Sequence, residues 1–245
     1  MRDAVADHVD LILTGTEAGA LAAKEATRTI PIIVVAMGDP VRSGVVSSLS
    51  RPAANVTGFS LLSAEGIPSK CVQLLHEAVP SMSALTVLSN PDYPLSRIQV
   101  KQLETDVRRH GIKLQIVTVR SRQDLDRALQ QAKGKTQAVM ALSDSLAYEH
   151  RRHLISLASE YRLPVASTIL DYVPDGALIA YGADFRAMYR RAAEYADKIF
   201  RGTKPGDLPI QQSTQLKLAV NLKTAKKLGL SVPESLLVRA DEVVR

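Results

Sequence analysis

Small polar and acidic residues follow several short apolar runs of this 245-residue sequence, and their chemistry suits the binding of a small polar ligand. Hydroxyls and backbone N–H groups bind carboxylates, and carboxylates bind ammonium groups. Because Asp, Ser and Thr at such positions also commonly cap helices, each of them alone has a purely structural interpretation. The ligand-binding candidates are Thr14, Gly15, Thr16, Asp39, Asn90, Asp144, Tyr181 and Asp184.

Patterns typical of catalysis, phosphate binding and metal binding are missing from the sequence. The segment Gly15–Gly19 lacks the dinucleotide-binding spacing, and neither a phosphate-binding loop nor a G-x-S-x-G motif occurs. His150 and His153 have a spacing that suits a metal, but two arginines separate them, which favours an exposed helix face. Cys71 falls on an apolar helical stripe, which indicates a core residue. The sequence therefore favours binding over catalysis and predicts no metal and no cofactor.

The composition is that of a globular protein with a modest positive charge. Hydrophobic residues make up 46% and charged residues 23%, and the formal net charge is +6. The basic residues are spread along the chain, and seven Tyr, three Phe and no Trp provide few stacking surfaces, so we expect no nucleic-acid partner. The longest apolar runs, such as Ile30–Met37, are too short to cross a bilayer.

Short apolar runs alternate with helix-period segments along nearly the whole chain. Continuous apolar runs are typical of strands buried in a parallel sheet, and the alternation indicates βαβ units. The sequence therefore predicts an α/β fold. The predicted strands are Asp10–Leu13, Pro31–Ala36, Leu85–Ser89, Ile112–Val119, Ala138–Leu142, Pro164–Thr168 and Ala177–Tyr181.

A weak internal repeat favours two similar α/β lobes over one continuous sheet. Thr14 and Ser143 each end a strand before a helix, and Pro31 and Pro164 each open the next strand. The helix that ends at Pro80 marks the expected boundary. We predict lobe one over residues 1–80 plus 183–210, and lobe two over residues 81–182 plus 211–245. Ligands of parallel α/β sheets bind beyond the carboxyl ends of the strands, which predicts a polar cleft where the lobes face each other.

Several blocks at fixed spacing connect the sequence to a known family. Together they resemble the solute-binding proteins of ABC importers, in the branch that includes tryptophan and aromatic amino-acid binders, over essentially the whole chain. In chain order the blocks are Asp39-Pro40-Val41, Arg51-Pro52-x-x-Asn55-x-Thr57-Gly58, Tyr181-Gly182-x-Asp184, Tyr189-Arg190-Arg191-Ala192-Ala193, Gly202-x-x-Pro205-x-Asp207-Leu208-Pro209, Val220-Asn221-Leu222-Lys223-Thr224-Ala225 and Leu236-Leu237-x-Arg239-Ala240-Asp241-Glu242.

The resemblance implies a type I periplasmic-binding-protein fold with two Rossmann-like lobes, each with a parallel sheet, joined by a hinge. It also implies a substrate-binding subunit that captures an amino acid, aromatic acid or similar solute and works with an ABC permease and its ATPase. We expect residues 14–16 to bind a carboxylate, Asp144 or Asp184 to bind an ammonium group, and Asp39 and Asn90 to line the two walls. The implied location is the periplasm, or a lipoprotein outside the cytoplasm.

The sequence departs from the family pattern at its beginning. Family members carry a signal segment and a first strand, helix and strand ahead of the segment that matches Val9–Thr14, and this sequence begins without them. If this start is real, we expect a cytoplasmic protein with an incomplete lobe one, which is poorly stable or associates through that lobe and binds ligand weakly. A cytoplasmic ligand sensor of the same fold and, less favoured, an α/β enzyme are the alternatives.

Overall fold

The computed structural model describes residue 7 and residues 9–52, 54–61, 66–107, 111–212 and 215–245. The chain divides into two compact units. Unit 1 contains Met1–Ser63 and Asp184–Gln215, and unit 2 contains Ala64–Ala183 and Leu216–Arg245. None of the described helices is long and apolar enough to span a membrane.

Strands and helices alternate in both units. The strands are β1 Ile12–Thr14, β2 Ile32–Met37, β3 Val56–Ser60, β4 Ala84–Ser89, β5 Lys113–Thr118, β6 Ala138–Ala141, β7 Val165–Ser167, β8 Ile179–Ala183, β9 Gln211–Gln212, β10 Leu216–Asn221 and β11 Glu242–Val244. The α-helices are α1 Glu17–Ala26, α2 Ile67–Ala78, α3 Pro94–Val107, α4 Arg122–Ala132, α5 Ser145–Glu149, α6 Arg151–Glu160, α7 Phe185–Phe200, α8 Leu222–Leu228 and α9 Glu234–Val238. Short 3-10 turns cover Leu170–Tyr172 and Pro205–Asp207.

The sheet of unit 1 has the strand order β1-β2-β3-β9, and all of its pairs are parallel. Every residue of β2 is buried, because β2 pairs on both sides and α1 and α7 pack against it. Gly58 in β3 has a φ of +142°, and a Cβ there would lie 2.0 Å from the carbonyl oxygen of Val34. Glycine at this position therefore permits the close approach of β2 and β3.

The sheet of unit 2 has the strand order β11-β10-β8-β7-β6-β4-β5. Its pairs are parallel except for β8 and β10, which run antiparallel. A buried apolar core joins α2 to the strands through residues such as Leu75, Leu85 and Met140. Because β7, β6 and β4 are neighbours and run parallel, their carboxyl ends lie side by side.

All seven strands expected from the sequence are present, and their ends agree within two residues. Strands β3, β9, β10 and β11 were not expected. The unit boundary also differs from the predicted lobes. Helix α2 belongs to unit 2 because it packs on β7, β8 and α3, and residues 211–215 belong to unit 1 because β9 pairs with β3.

Candidate functional site

The carboxyl end of β1 leads directly into the amino end of α1. Thr16 caps this helix, because its Oγ1 accepts a hydrogen bond of 3.1 Å from the backbone N–H of Gly19. The hydroxyl proton of Thr16 is not used in that bond and can be donated to a ligand. A Cβ at residue 19 would lie 2.1 Å from Thr14 Oγ1, so Gly19 allows the helix to start tightly against the strand.

Hydrogen bonds connect the ends of three neighbouring strands in unit 1. The backbone N–H of Gly38, just after β2, donates to Glu17 Oε2 at 2.8 Å. The hydroxyl of Ser60, the last residue of β3, donates to the carbonyl oxygen of Gly38 at 2.9 Å. Asp39 follows in the same loop, is half-buried, and accepts a bond of 3.0 Å from the N–H of Arg42. We call residues 14–17, 38–39 and 60 the unit 1 strand-end surface.

The amino-terminal part of α7 reaches this surface. Asp184 is buried and caps α7, since its Oδ1 accepts a bond of 3.0 Å from the N–H of Ala187. Tyr189, in the second turn, lies beside Gly15: a Cβ at residue 15 would be 3.0 Å from Tyr189 Oη. The side chain of Tyr189 is 48% exposed. It was not among the residues selected from the sequence, because it lies inside a helix rather than at a strand end.

A second polar surface lies at the carboxyl ends of β4, β6 and β7 in unit 2. Asn90 follows β4, and its Nδ2 donates a bond of 3.0 Å to Asp144 Oδ2. Asp144 is buried and caps α5 by accepting a bond of 2.9 Å from the N–H of Ala147 on Oδ1. The hydroxyls of Ser143 and Thr168 are 2.8 Å apart and connect the ends of β6 and β7. We call residues 90, 143–144 and 168–172 the unit 2 strand-end surface.

Tyr148 and Tyr172 lie in the same region of unit 2, and neither was among the ligand-binding candidates chosen from the sequence. The hydroxyl of Tyr148 donates a bond of 2.7 Å to Asp171 Oδ2, and the Arg151 guanidinium lies 4.3 Å from the centre of the Tyr148 ring. Tyr172 is fully buried, and its hydroxyl has no hydrogen-bond partner among the described residues. Burial and, secondarily, the charge of Asp144 raise the pKa of Tyr172, so this hydroxyl stays protonated.

The structure places Tyr181 differently from the sequence prediction. The predicted strand ended at Tyr181, whereas β8 continues to Ala183. Tyr181 therefore lies inside the strand, opposite Leu218, and packs against the apolar core of unit 2. The remaining candidates separate into two groups. Thr14, Gly15, Thr16, Asp39 and Asp184 belong to unit 1, and Asn90 and Asp144 belong to unit 2.

The groups considered for metal binding or nucleophilic chemistry have structural roles. His153 Nε2 lies 2.5 Å from Asp126 Oδ1. The Cys71 thiol is fully buried, donates a bond of 3.3 Å to the carbonyl oxygen of Ser167, and has a pKa raised by burial to about 12. Within the described ranges, no group of three or more His, Cys, Asp or Glu residues has a geometry that could hold a metal ion.

A cavity of about 490 Å³ in unit 2 lies away from the candidate residues. Leu163 and Val165, at the amino end of β7, form part of its wall together with Ile155 of α6 and Leu228 of α8. The cavity is therefore at the opposite end of the strands from Asn90 and Asp144.

Comparison with known proteins identifies the family. The profile described as ABC transporter substrate binding protein matches residues 1–244. The chain is 28% identical over 242 residues to a tyrosine-binding protein of Clostridioides difficile strain R20291, covering 97% of this chain and 69% of the relative.

Solved structures share the fold. A conserved domain protein from Vibrio cholerae is 30% identical with a TM-score of 0.87, and an ABC domain in complex with L-Trp from a Streptococcus is 23% identical with a TM-score of 0.86. Each comparison covers 99% of this chain and 81% of the other. The chain therefore belongs to the ABC transporter substrate-binding protein family and has its two-lobed α/β fold.

Proposed function

We propose that this protein captures an amino acid, or a closely related small carboxylic acid, and presents it to an ABC permease with its ATPase. The observation that carries the proposal is the unit 1 strand-end surface, in which bonds from Gly38 to Glu17 and from Ser60 to Gly38 hold three strand ends together. Family membership supports the transport role, and the tyrosine-binding relative supports the ligand class.

The unit 1 strand-end surface suits the carboxylate of the ligand. The Thr16 hydroxyl has a proton to donate, and the backbone N–H groups at the start of α1 carry partial positive charge. A carboxylate here would receive hydrogen bonds from groups that the fold already holds in place.

The unit 2 strand-end surface suits the ammonium group. Asp144 accepts hydrogen bonds from Asn90 on one oxygen and from the Ala147 N–H on the other. These two uncharged donors hold the carboxylate in position. We propose Asp144 as the acceptor for that ammonium group. Asp39 and Asp184 would then act through the local structure of the unit 1 surface.

Ligand analogues with one charged group removed test both assignments. The probes are L-tyrosine, tyramine without the carboxylate, and 3-(4-hydroxyphenyl)propionate without the ammonium group, each measured by calorimetry. Thr16→Val should weaken L-tyrosine and the propionate by about 1–2 kcal/mol and leave tyramine unchanged. Thr16→Ser keeps the hydroxyl and the cap and should bind like the parent chain.

The second half of the test concerns the charge of Asp144. Asp144→Ser keeps a capping oxygen but removes the carboxylate, and should weaken L-tyrosine and tyramine by about 2–3 kcal/mol without affecting the propionate. The proposal fails if the parent chain binds nothing in a screen of all twenty amino acids and their deaminated carboxylic-acid analogues. The assignment of the two surfaces fails if both variants weaken all three probes equally.

The proposed location is outside the cytoplasmic membrane, where a substrate-binding protein meets its permease. Genes for a permease and an ATPase next to this gene, together with recovery of the protein in the extracytoplasmic fraction, would support this placement. Recovery in the cytoplasm without such neighbours would favour a ligand sensor instead.

A further inference from the structure

An aromatic side chain stands out at the unit 1 strand-end surface. Tyr189 is 48% exposed, although its helix is firmly attached to the unit. Met188 and Ala192 on the same helix are buried against the sheet, and the Tyr195 hydroxyl donates a bond of 2.8 Å to the carbonyl oxygen of Pro209. The exposure of Tyr189 is therefore set by a fixed helix and not by a loose segment.

The contact between Tyr189 and Gly15 places the ring within this surface. A Cβ on residue 15 would come within 3.0 Å of Tyr189 Oη, which is closer than ordinary van der Waals contact. A glycine at residue 15 thus leaves room for the phenol end of the side chain. The hydroxyl oxygen of Tyr189 lies close to Gly15, and nearly half of the residue remains accessible.

The neighbouring groups are polar and suited to parts that all amino acids share. Thr16 offers a hydroxyl to the carboxylate that all amino acids share, whereas Tyr189 offers an aromatic side chain. Aromatic rings pair favourably with other aromatic rings beyond the area that they bury. An accessible ring beside a carboxylate-binding group is therefore positioned to contact the ligand's side chain.

We propose that Tyr189 contacts the ligand and gives the protein its preference for solutes with an aromatic side chain. This inference rests on the proposed amino-acid binding and adds the residue that selects the ligand's side chain.

Substitution at residue 189 tests the inference, with a matched control on the same helix. Phe200 is also aromatic and 64% exposed, and eleven residues place it roughly 16 Å away along the helix axis. The variants are Tyr189→Phe, Tyr189→Ala and Phe200→Ala, and the probes are L-tryptophan and L-leucine. Because the chain has no Trp, the fluorescence of L-tryptophan reports its binding without a background from protein tryptophan.

Tyr189→Ala should weaken L-tryptophan roughly fivefold to tenfold and L-leucine less than twofold, which lowers the ratio of the two affinities. Tyr189→Phe and Phe200→Ala should leave this ratio unchanged. An unchanged ratio in Tyr189→Ala, or an equal fall in Phe200→Ala, would overturn the inference while amino-acid binding stands. If the unaltered protein binds neither L-tryptophan nor L-leucine, the inference is overturned, and the screen of all twenty amino acids shows whether the proposed function fails with it.

Hydroxyl-radical footprinting of the unaltered protein provides a measurement that does not depend on folding of a variant. Saturating L-tryptophan should lower the oxidation of Tyr189 at least threefold and leave that of Phe200 unchanged. Equal oxidation of Tyr189 with and without bound ligand would contradict the proposed contact.

Discussion

The side-chain amide of Asn90 donates a 3.0 Å hydrogen bond to Asp144, and this bond connects the loops that follow two adjacent strands, β4 and β6. The two carboxylate oxygens of Asp144 have different partners, because Oδ2 accepts from Asn90 and Oδ1 accepts from the N–H of Ala147. Asp144 is therefore a helix cap and an inter-loop contact at once. The two interpretations that the sequence left open, capping and ligand binding, are compatible at this residue.

A double-mutant cycle on Asn90 and Asp144 should show a clear coupling energy. Asp144→Ala should lower the free energy of unfolding by about 2–3 kcal/mol, since it removes the cap and leaves the half-buried amide of Asn90 unpaired. Asn90→Ala should cost less, and the double variant should be more stable than the sum of the two by about 1–2 kcal/mol. Urea unfolding of the four proteins measures the coupling. Strict additivity would mean that this hydrogen bond contributes nothing.

Gly58 should be far less tolerant of substitution than Gly44. Both have positive φ, but a Cβ at Gly58 would lie 2.0 Å from the carbonyl oxygen of Val34, and a Cβ at Gly44 would meet nothing within 4 Å. We expect Gly58→Ala to lower the free energy of unfolding by more than about 3 kcal/mol, because the strands β2 and β3 must move apart. Gly44→Ala should cost about 1 kcal/mol, from its backbone conformation alone. Denaturant unfolding measures both free-energy changes. Similar values for Gly58→Ala and Gly44→Ala would contradict the prediction.

The sequence predicted the parallel strands well because burial leaves a direct signature in residue type. Every residue of β2 is apolar and buried, so the strand is visible in the sequence alone. Strand β3 is equally buried, but it contains the polar Thr57 and also Gly58, which has no side chain, so its residues do not form a continuous apolar run. Its β-structure depends on the close approach of β2, which is a tertiary effect.

The candidate site was predictable where it follows the strand ends and not where helices contribute to it. Thr16, Asp39, Asn90 and Asp144 are found at strand ends, as a parallel sheet requires. Tyr189 reaches its place through the packing of α7, which sequence spacing does not encode. The prediction placed Tyr181 at a strand end, but β8 extends two residues beyond its apolar run, to Ala183. Gly182 makes this possible, because a Cβ at that position would lie 1.9 Å from the carbonyl oxygen of Thr168.

Cys71 should resist alkylation in the folded protein. Burial raises the pKa of its thiol from 9.0 to about 12, so the reactive thiolate is scarce at neutral pH and the sulfur is shielded. We expect iodoacetamide to modify Cys71 only at the rate of unfolding, which mass spectrometry measures with and without urea. Rapid modification in buffer would show that α2 opens readily.

The same pKa predicts how pH affects stability. Below about pH 9 the Cys71 thiol is protonated in both folded and unfolded chains and has no effect on the equilibrium. Above that pH the unfolded chain releases the proton first, so the free energy of unfolding falls as pH rises towards 12. Cys71→Ala should remove this part of the alkaline loss. A parallel pH dependence in the variant and the parent chain would contradict the assignment.

The outer edge of β1 combines an unpaired strand edge with exposed apolar side chains among the described residues of unit 1. In the part of the chain that the structure describes, β1 pairs with β2 on one side and with no strand on the other. Leu13 of β1 is 50% exposed and Leu21 of α1 is 38% exposed, so apolar side chains accompany the free strand edge. Free strand edges and apolar patches both promote pairing between chains.

We therefore expect this chain to self-associate through β1 and α1 in a concentration-dependent manner. Leu13→Lys with Leu21→Lys should shift the sedimentation coefficient towards that of a monomer, because charge opposes burial of both the strand edge and the helix face. Val238→Lys is the matched control, since Val238 of unit 2 is 80% exposed and its replacement should change nothing. Sedimentation velocity over a hundredfold range of concentration compares the three proteins. A parent chain that is monomeric throughout, or a Val238→Lys variant that dissociates as well, would exclude the β1 edge as the contact.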